Sequence, residues 1–181
     1  GMLEAYRAGF AVDRTVVDNA AAYLREELVS ISRQTSAWKA NRLAYQLYVL
    51  GEYLNLMDAE AAGELNRAVR LFEQREQLDR YGQAMLAVAL GLLEPEEDTR
   101  VSTLLSDLVG DIVISATGAH WEEAEPDTWN MNTDTRSTAI ILWAMARHLP
   151  ESDLLPNVVR WLMTMRREGY WESTNTTAWS L

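Results

Sequence analysis

The chain has 181 residues, 48% of them apolar and 24% charged, which is ordinary for a globular domain with one substantial core. Its net charge of −11, with only sixteen Lys and Arg, excludes a nucleic-acid partner, because neutralising phosphates takes clustered basic side chains. The absence of cysteine removes disulfides, Cys-based zinc sites and thiol nucleophiles, and no apolar run reaches the roughly 18–20 residues of a membrane span.

Helical periodicity dominates from the N-terminus onward. Val17, Ala20, Leu24, Leu28 and Ile31 recur at helical spacing with Arg25, Glu26 and Glu27 between them, which predicts one amphipathic helix. Leu65, Ala68, Val69 and Phe72 form a second such stripe. Val101, Leu104, Leu105, Leu108 and Ile112 form a third, and Val158, Trp161, Leu162 and Met165 a fourth. Between these lie segments apolar on nearly every side: 44–51, 84–91 and 139–146. A helix apolar all round is buried all round. Asp13 and Asp58 are expected to cap helix starts, and Thr35 to open a helix running to Asn55. Glu94-Pro95 and Leu149-Pro150 sit where buried helices should end.

The two kinds of helix alternate, and Ala44–Gly51 superimposes on Ala84–Gly91 at a shift of forty. A period near forty with two helices per unit indicates stacked helical hairpins. Uniformly apolar helices sheathed by amphipathic ones favour a ring, so the expected fold is an all-α, α/α-toroid-like single domain over residues 1–181. The helix that opens at Ser173 or Thr174 stops after about two turns, and no signal sequence precedes Gly1-Met2. Together these predict an incomplete ring excised from a larger protein.

Two loops share a signature, Gly118-Ala-His120-Trp121-Glu122 and Gly169-Tyr-Trp171-Glu172, each ahead of an inner helix. The expected role is structural: Gly ends a helix and the aromatic plugs the ring between layers. The functional alternative is an aromatic-lined pocket with convergent polar groups.

These residues carry a family resemblance. Gly169-Tyr-Trp171-Glu-Ser173-Thr174-Asn-Thr-Thr177-Ala178, with Leu181, resembles the Gly-x-Phe-x-Ser-Thr-Gln-Asp-Thr-x-x-Ala-Leu segment late in the thioester domain of alpha-2-macroglobulins. Trp171 replaces the Phe, Asn175 the Gln and Thr176 the Asp. Ala119-His120-Trp121-Glu122 resembles the Val-His-Trp-Glu of the same domain. Thr133–Ala139 and Val158–Leu162 resemble its next inner and outer helices. The style of the chain is similar to that of the bacterial members.

The resemblance implies a module of a broad-spectrum endopeptidase inhibitor, not an enzyme. Its partners would be proteases, engaged through the parent protein, and neighbouring domains of the same chain. Periplasmic or extracellular localisation, with a membrane anchor on the parent, is implied in the same way. In this family a buried thioester, once exposed, acylates a nucleophile on the attacking protease. The thioester needs a Cys that this chain lacks, so no catalytic residue, cofactor or metal ligand carries over. The alternatives are the scaffold domain of a thioester-less member, and a terpene-cyclase- or prenyltransferase-like toroid enzyme, which lacks here its Asp-rich clusters and zinc-binding Cys.

Other candidates have plainer readings. His148 lies near a helix C-terminus, where the helix dipole favours a cation. His120 could serve as a general base but reads as part of a structural turn. Glu94, Glu96, Glu97 and Asp98 precede a helix and stabilise its start. The acidic loop 122–127 lacks the alternating ligand spacing of a calcium loop. A broken ring should expose apolar faces near Leu3–Phe10 and Thr177–Leu181, and self-associate through them.

Overall fold

A computed structural model describes residues 1–94 and 99–181. The acidic residues Glu96, Glu97 and Asp98, and Pro95, fall outside the described residues. The chain is mostly helical, at 64% helix, which places it in the all-α class. Among the described residues there are nine α-helices: α1 (Met2–Arg7), α2 (Arg14–Glu26), α3 (Ala37–Met57), α4 (Glu64–Phe72), α5 (Arg80–Leu93), α6 (Thr99–Gly110), α7 (Asp134–His148), α8 (Leu155–Met165) and α9 (Thr174–Ser180). None is long and apolar enough to cross a membrane.

The alternation read from the sequence corresponds to two environments. In α5 every residue from Ala84 to Leu90 is buried, but the other two apolar segments are not buried all round. In 44–51 Tyr45 is exposed and Tyr48 and Val49 half-buried, and in 139–146 Ala146 is exposed and Leu142 and Trp143 half-buried. Amphipathic α4, α6 and α8 bury only one stripe each, such as Val101, Leu104, Leu105 and Leu108 of α6. The apolar helices pack in series, α3 on α5 and α5 on α7, with polar α9 packed on α7 and with α4, α6 and α8 packed against the row. A smaller cluster, built on Val17, Ala21, Leu50, Tyr53, Leu54 and Met57, joins α2 to α3.

The forty-residue repeat has a packing meaning. A Cβ on Gly51 would lie 3.0 Å from the Leu92 Cβ of α5, and one on Gly91 would lie 2.6 Å from the His148 Cε1 of α7. Each repeat thus places its glycine against the next buried helix: a side chain at Gly51 would press on Leu92 of α5, and one at Gly91 would displace the His148 ring.

Several local expectations are corrected. Helix α2 ends at Glu26, so Leu28 and Ile31 are not on it, although both pack on the core. Buried Gln46 accounts for the early stop: its Nε2 donates to the Glu27 carbonyl (3.0 Å) and its Oε1 accepts from Val29 N (3.1 Å). Asp13 caps α2 as expected, accepting from Thr15 N at 2.8 Å. Asp58 instead ends α3, with φ of 50° in the left-handed region that short polar side chains tolerate. Thr35 accepts from Ser32 N, and α3 opens one residue later at its N-cap Ser36 and runs past Asn55 to Met57. Ile112 lies beyond α6, which ends at Gly110.

A short antiparallel hairpin, unforeseen, follows α6: β1 (Val113–Ser115) pairs with β2 (Gly118–His120). Gly118 therefore does not end a helix. Its φ of +136° and the crowding explain the residue type, because a Cβ would lie 2.4 Å from the Asn157 carbonyl oxygen.

Candidate functional site at the starts of the buried helices

The signature residues gather where α5, α7 and α9 begin, and they build the same joint twice. Trp121 is fully buried, and its Nε1 donates to the Leu108 carbonyl of α6 at 2.7 Å. Trp171, 3% exposed, donates Nε1 to the Leu162 carbonyl of α8 at 2.9 Å. Each indole so satisfies a carbonyl near an outer helix's end, where intrahelical partners run out. The backbone N of Trp121 donates to Thr138 Oγ1 of α7 (3.1 Å), and that of Trp171 to Thr177 Oγ1 of α9 (3.0 Å). The inner helices open alike as well: Thr133 accepts from Arg136 N, and Ser173 from Thr176 N.

An acid after each tryptophan reaches back to the start of the preceding buried helix. Glu172 accepts from the Thr133 and Thr135 hydroxyls at 2.9 and 2.5 Å. In the other joint this partner is Glu123, not Glu122. Glu123 accepts from Arg80 N (2.9 Å), Tyr81 N (3.1 Å) and the Ser137 hydroxyl (2.5 Å), capping α5 from a distant loop. Glu122 is exposed and meets His120 Nε2 at 3.1 Å. The spacing after Trp misplaced the acid by one residue because the two loops differ in length before their helices.

The remaining predicted residues have definite places. His120 stacks face to face on Trp161, centroids 4.4 Å apart, and its Nδ1 is buried without a partner among the described residues. Gly169 takes φ of +95° in the turn between Arg167 and Tyr170, which bridge each other; like Gly118, it serves a reversal and not a helix end. Thr174 is the first residue of α9, exposed beside its cap Ser173. His148 is the last residue of α7, but burial, then Arg147, lowers its pKa. That favours the neutral ring over the cation expected from the dipole.

Sequence reasoning missed Asp127, which ties α3 and α5 to this end of the molecule. Tyr81 OH donates to Asp127 Oδ2 at 2.6 Å, Asn130 Nδ2 at 2.7 Å and Asn41 Nδ2 at 3.1 Å. Burial alone would raise the pKa of this carboxyl, but the three hydrogen bonds prevail and hold it below the usual range. Asp79 contrasts with it. Burial first, then the charge of Glu123, pushes it up to about 6. Arg136 is buried over the Tyr81 ring, 5.2 Å from its centroid, and burial lowers its pKa. No local motif marked Asp127 because its donors lie 86, 46 and 3 residues away.

Between the acids lies a cavity of about 350 Å³, bordered by His120, Glu123, Asp127, Thr133 and Glu172. Glu123, Asp127 and Glu172 engage their oxygens with helix-start N–H groups, hydroxyls and the Asn41 and Asn130 amides, so the arrangement holds the joints together. Among the described residues no three His, Cys, Asp or Glu are placed to hold a metal ion. Searches of the chain against protein-family models and against curated proteins return no match.

Proposed function

We propose that this chain is a module of an alpha-2-macroglobulin-type protease trap: the C-terminal part of a thioester-type domain, shaped as an incomplete α/α toroid. The observation that carries the reading is the doubled tryptophan joint. Of the residues quoted for the resemblance, Trp121, Trp171 and Thr177 fasten outer to inner helices, and Ser173 caps α9. A serial row of buried helices flanked by amphipathic ones is also what a toroid segment requires. On this reading the signature residues are structural, and proteases and neighbouring domains are met through the parent protein in the periplasm or outside the cell. A thioester would draw its Cys from another part of that protein, since none occurs here.

The test is the intact mass of the natural protein before and after methylamine. A large multidomain protein that gains one methylamine and one free thiol is the expected result. A large protein without the adduct would replace the covalent trap with the thioester-less scaffold. A protein no larger than this domain would overturn the reading.

A further inference from the structure

A second, larger cavity of about 790 Å³ opens among α1, α2, α3, α7 and α9 and shares no lining residue with the first. This volume is in the range of small-molecule and side-chain recognition sites. One wall is a continuous aromatic strip. Tyr45 and Tyr48 of α3 lie 6.0 Å apart, Tyr48 meets Trp143 of α7 edge-on at 5.1 Å, and Trp143 meets Trp179 of α9 at 5.8 Å.

Two carboxylates line the cavity: Glu4 of α1, whose side chain is 60% exposed, and Glu52 of α3, whose side chain is 7% exposed. A buried carboxylate among apolar residues is costly unless it is paired. Glu52 divides its two oxygens between two guanidinium groups. Oε1 faces Arg147 of α7 at 3.4 Å, and Oε2 accepts from Arg7 of α1. The second partner is the informative one. Helix α1 has six residues and buries none of them, too short for a helix that stands on its own propensity. Its further ion pair, Arg7 with Glu4, is exposed. A short segment, held by this pair and by the packing of half-buried Leu3 and Tyr6 on the α2–α3 cluster, therefore supplies the cation that the buried acid needs.

We propose that this cavity is a recognition site for an arginine side chain presented by a partner peptide, and that Arg7 occupies it in cis. The chemistry favours guanidinium over other cations. Its planar fork pairs with a carboxylate, and its face can stack on aromatic rings, of which Tyr48 and Trp143 line the cavity. Arg147 remains on Oε1 when Arg7 leaves, so Oε2 is the position an incoming arginine takes. Because Arg7 is tethered, its effective concentration is in the mM range, and a free ligand competes poorly until α1 lifts. This inference does not rest on the protease-trap reading.

The experiment uses the full chain and N-acetyl-arginine amide as probe, followed by tryptophan fluorescence from Trp143 and Trp179. Arg7→Ala is expected to bind the probe about tenfold or more tighter than the wild type, since the tethered competitor is gone. The neutral citrulline analogue should not bind, and adding Glu52→Gln should abolish binding. Equal affinity in wild type and Arg7→Ala, or equal binding of citrulline, overturns the proposal. Arg7→Gln, which removes the charge but keeps the inner methylenes, repeats the comparison if Arg7→Ala does not fold. Wild-type amide exchange gives an independent reading: excess probe should speed exchange in α1 alone, and unchanged exchange would also overturn it.

Discussion

Asp79 and Asp127 show how neighbouring carboxylates part company. Asn41 Nδ2 donates to both, at 2.6 and 3.1 Å, yet only Asp127 also receives Tyr81 and Asn130. Asp79 instead sits beside Glu123, and its carboxyl rises from the ordinary 3.8 to about 6. The native state therefore holds the Asp79 proton more tightly than the unfolded chain does. That contribution to stability is full below about 4 and is lost as pH rises through 6. Asp79→Asn can still accept from Asn41 and never ionises. Its stability relative to wild type should grow between pH 4 and 6 and stay level above, as read from urea unfolding at pH 4.5 and 7.5. A constant difference across that range would rule out the titration of Asp79 as the cause. His148, lowered mainly by burial, costs stability as pH falls below 6.5, but it is common to both proteins and cancels. For Asp127, depressed overall, stability is lost only as pH falls below about 3.8.

At the scale of elements, Asp13, Thr133 and Ser173 cap their own helices, whereas the start of α5 is completed by a loop distant in sequence. Asp79 is the N-cap of α5, yet its side chain makes no capping bond, and Glu123, 43 residues from Arg80, serves instead. Glu123→Ala would strip two backbone N–H groups and the Ser137 hydroxyl of their acceptor. The expected loss is about 2–3 kcal/mol in urea unfolding. Glu122→Ala, on an exposed side chain, should stay within about 0.5 kcal/mol. The reverse order would show that the Trp-Glu spacing of the motif, and not the observed cap, governs stability. The short hairpin belongs to the same scale. Its six paired residues are too few for a period-two pattern to register, so nothing in the sequence marked it.

Across the whole molecule, the ends behave differently from the simple picture of raw helix faces. Leu3 and Tyr6 pack on the α2–α3 cluster, and Trp179 packs on the main core. Phe10 remains 70% exposed, Leu181 88%, and α2 leaves Val16 and Tyr23, seven residues apart on one face, 50% and 65% exposed. We propose that these residues carry the self-association expected of an incomplete ring. Sedimentation velocity should show a dimer growing with concentration, weakened by joint Phe10→Ser and Tyr23→Ser substitution. A single monomer boundary at the highest attainable concentration would sink the idea.

What the sequence by itself determined is the pattern that depends on near neighbours. Three-to-four-residue periodicity separated the amphipathic α4, α6 and α8 from α3, α5 and α7, and the match of 44–51 with 84–91 marked a forty-residue repeat. Trp121 and Trp171 were legible as structural plugs because an indole before an apolar helix has one economical use, to fill the joint. Tertiary structure alone decided where α2 stops, since Gln46 lies 19 residues from the Glu27 carbonyl it takes. It alone decided which acid caps α5, and that Arg7 pairs with Glu52 across 45 residues. The physical reason is common to all three. A buried polar group must find a partner wherever the fold supplies one, and a helical period reports which face is buried but not which distant side chain will meet it.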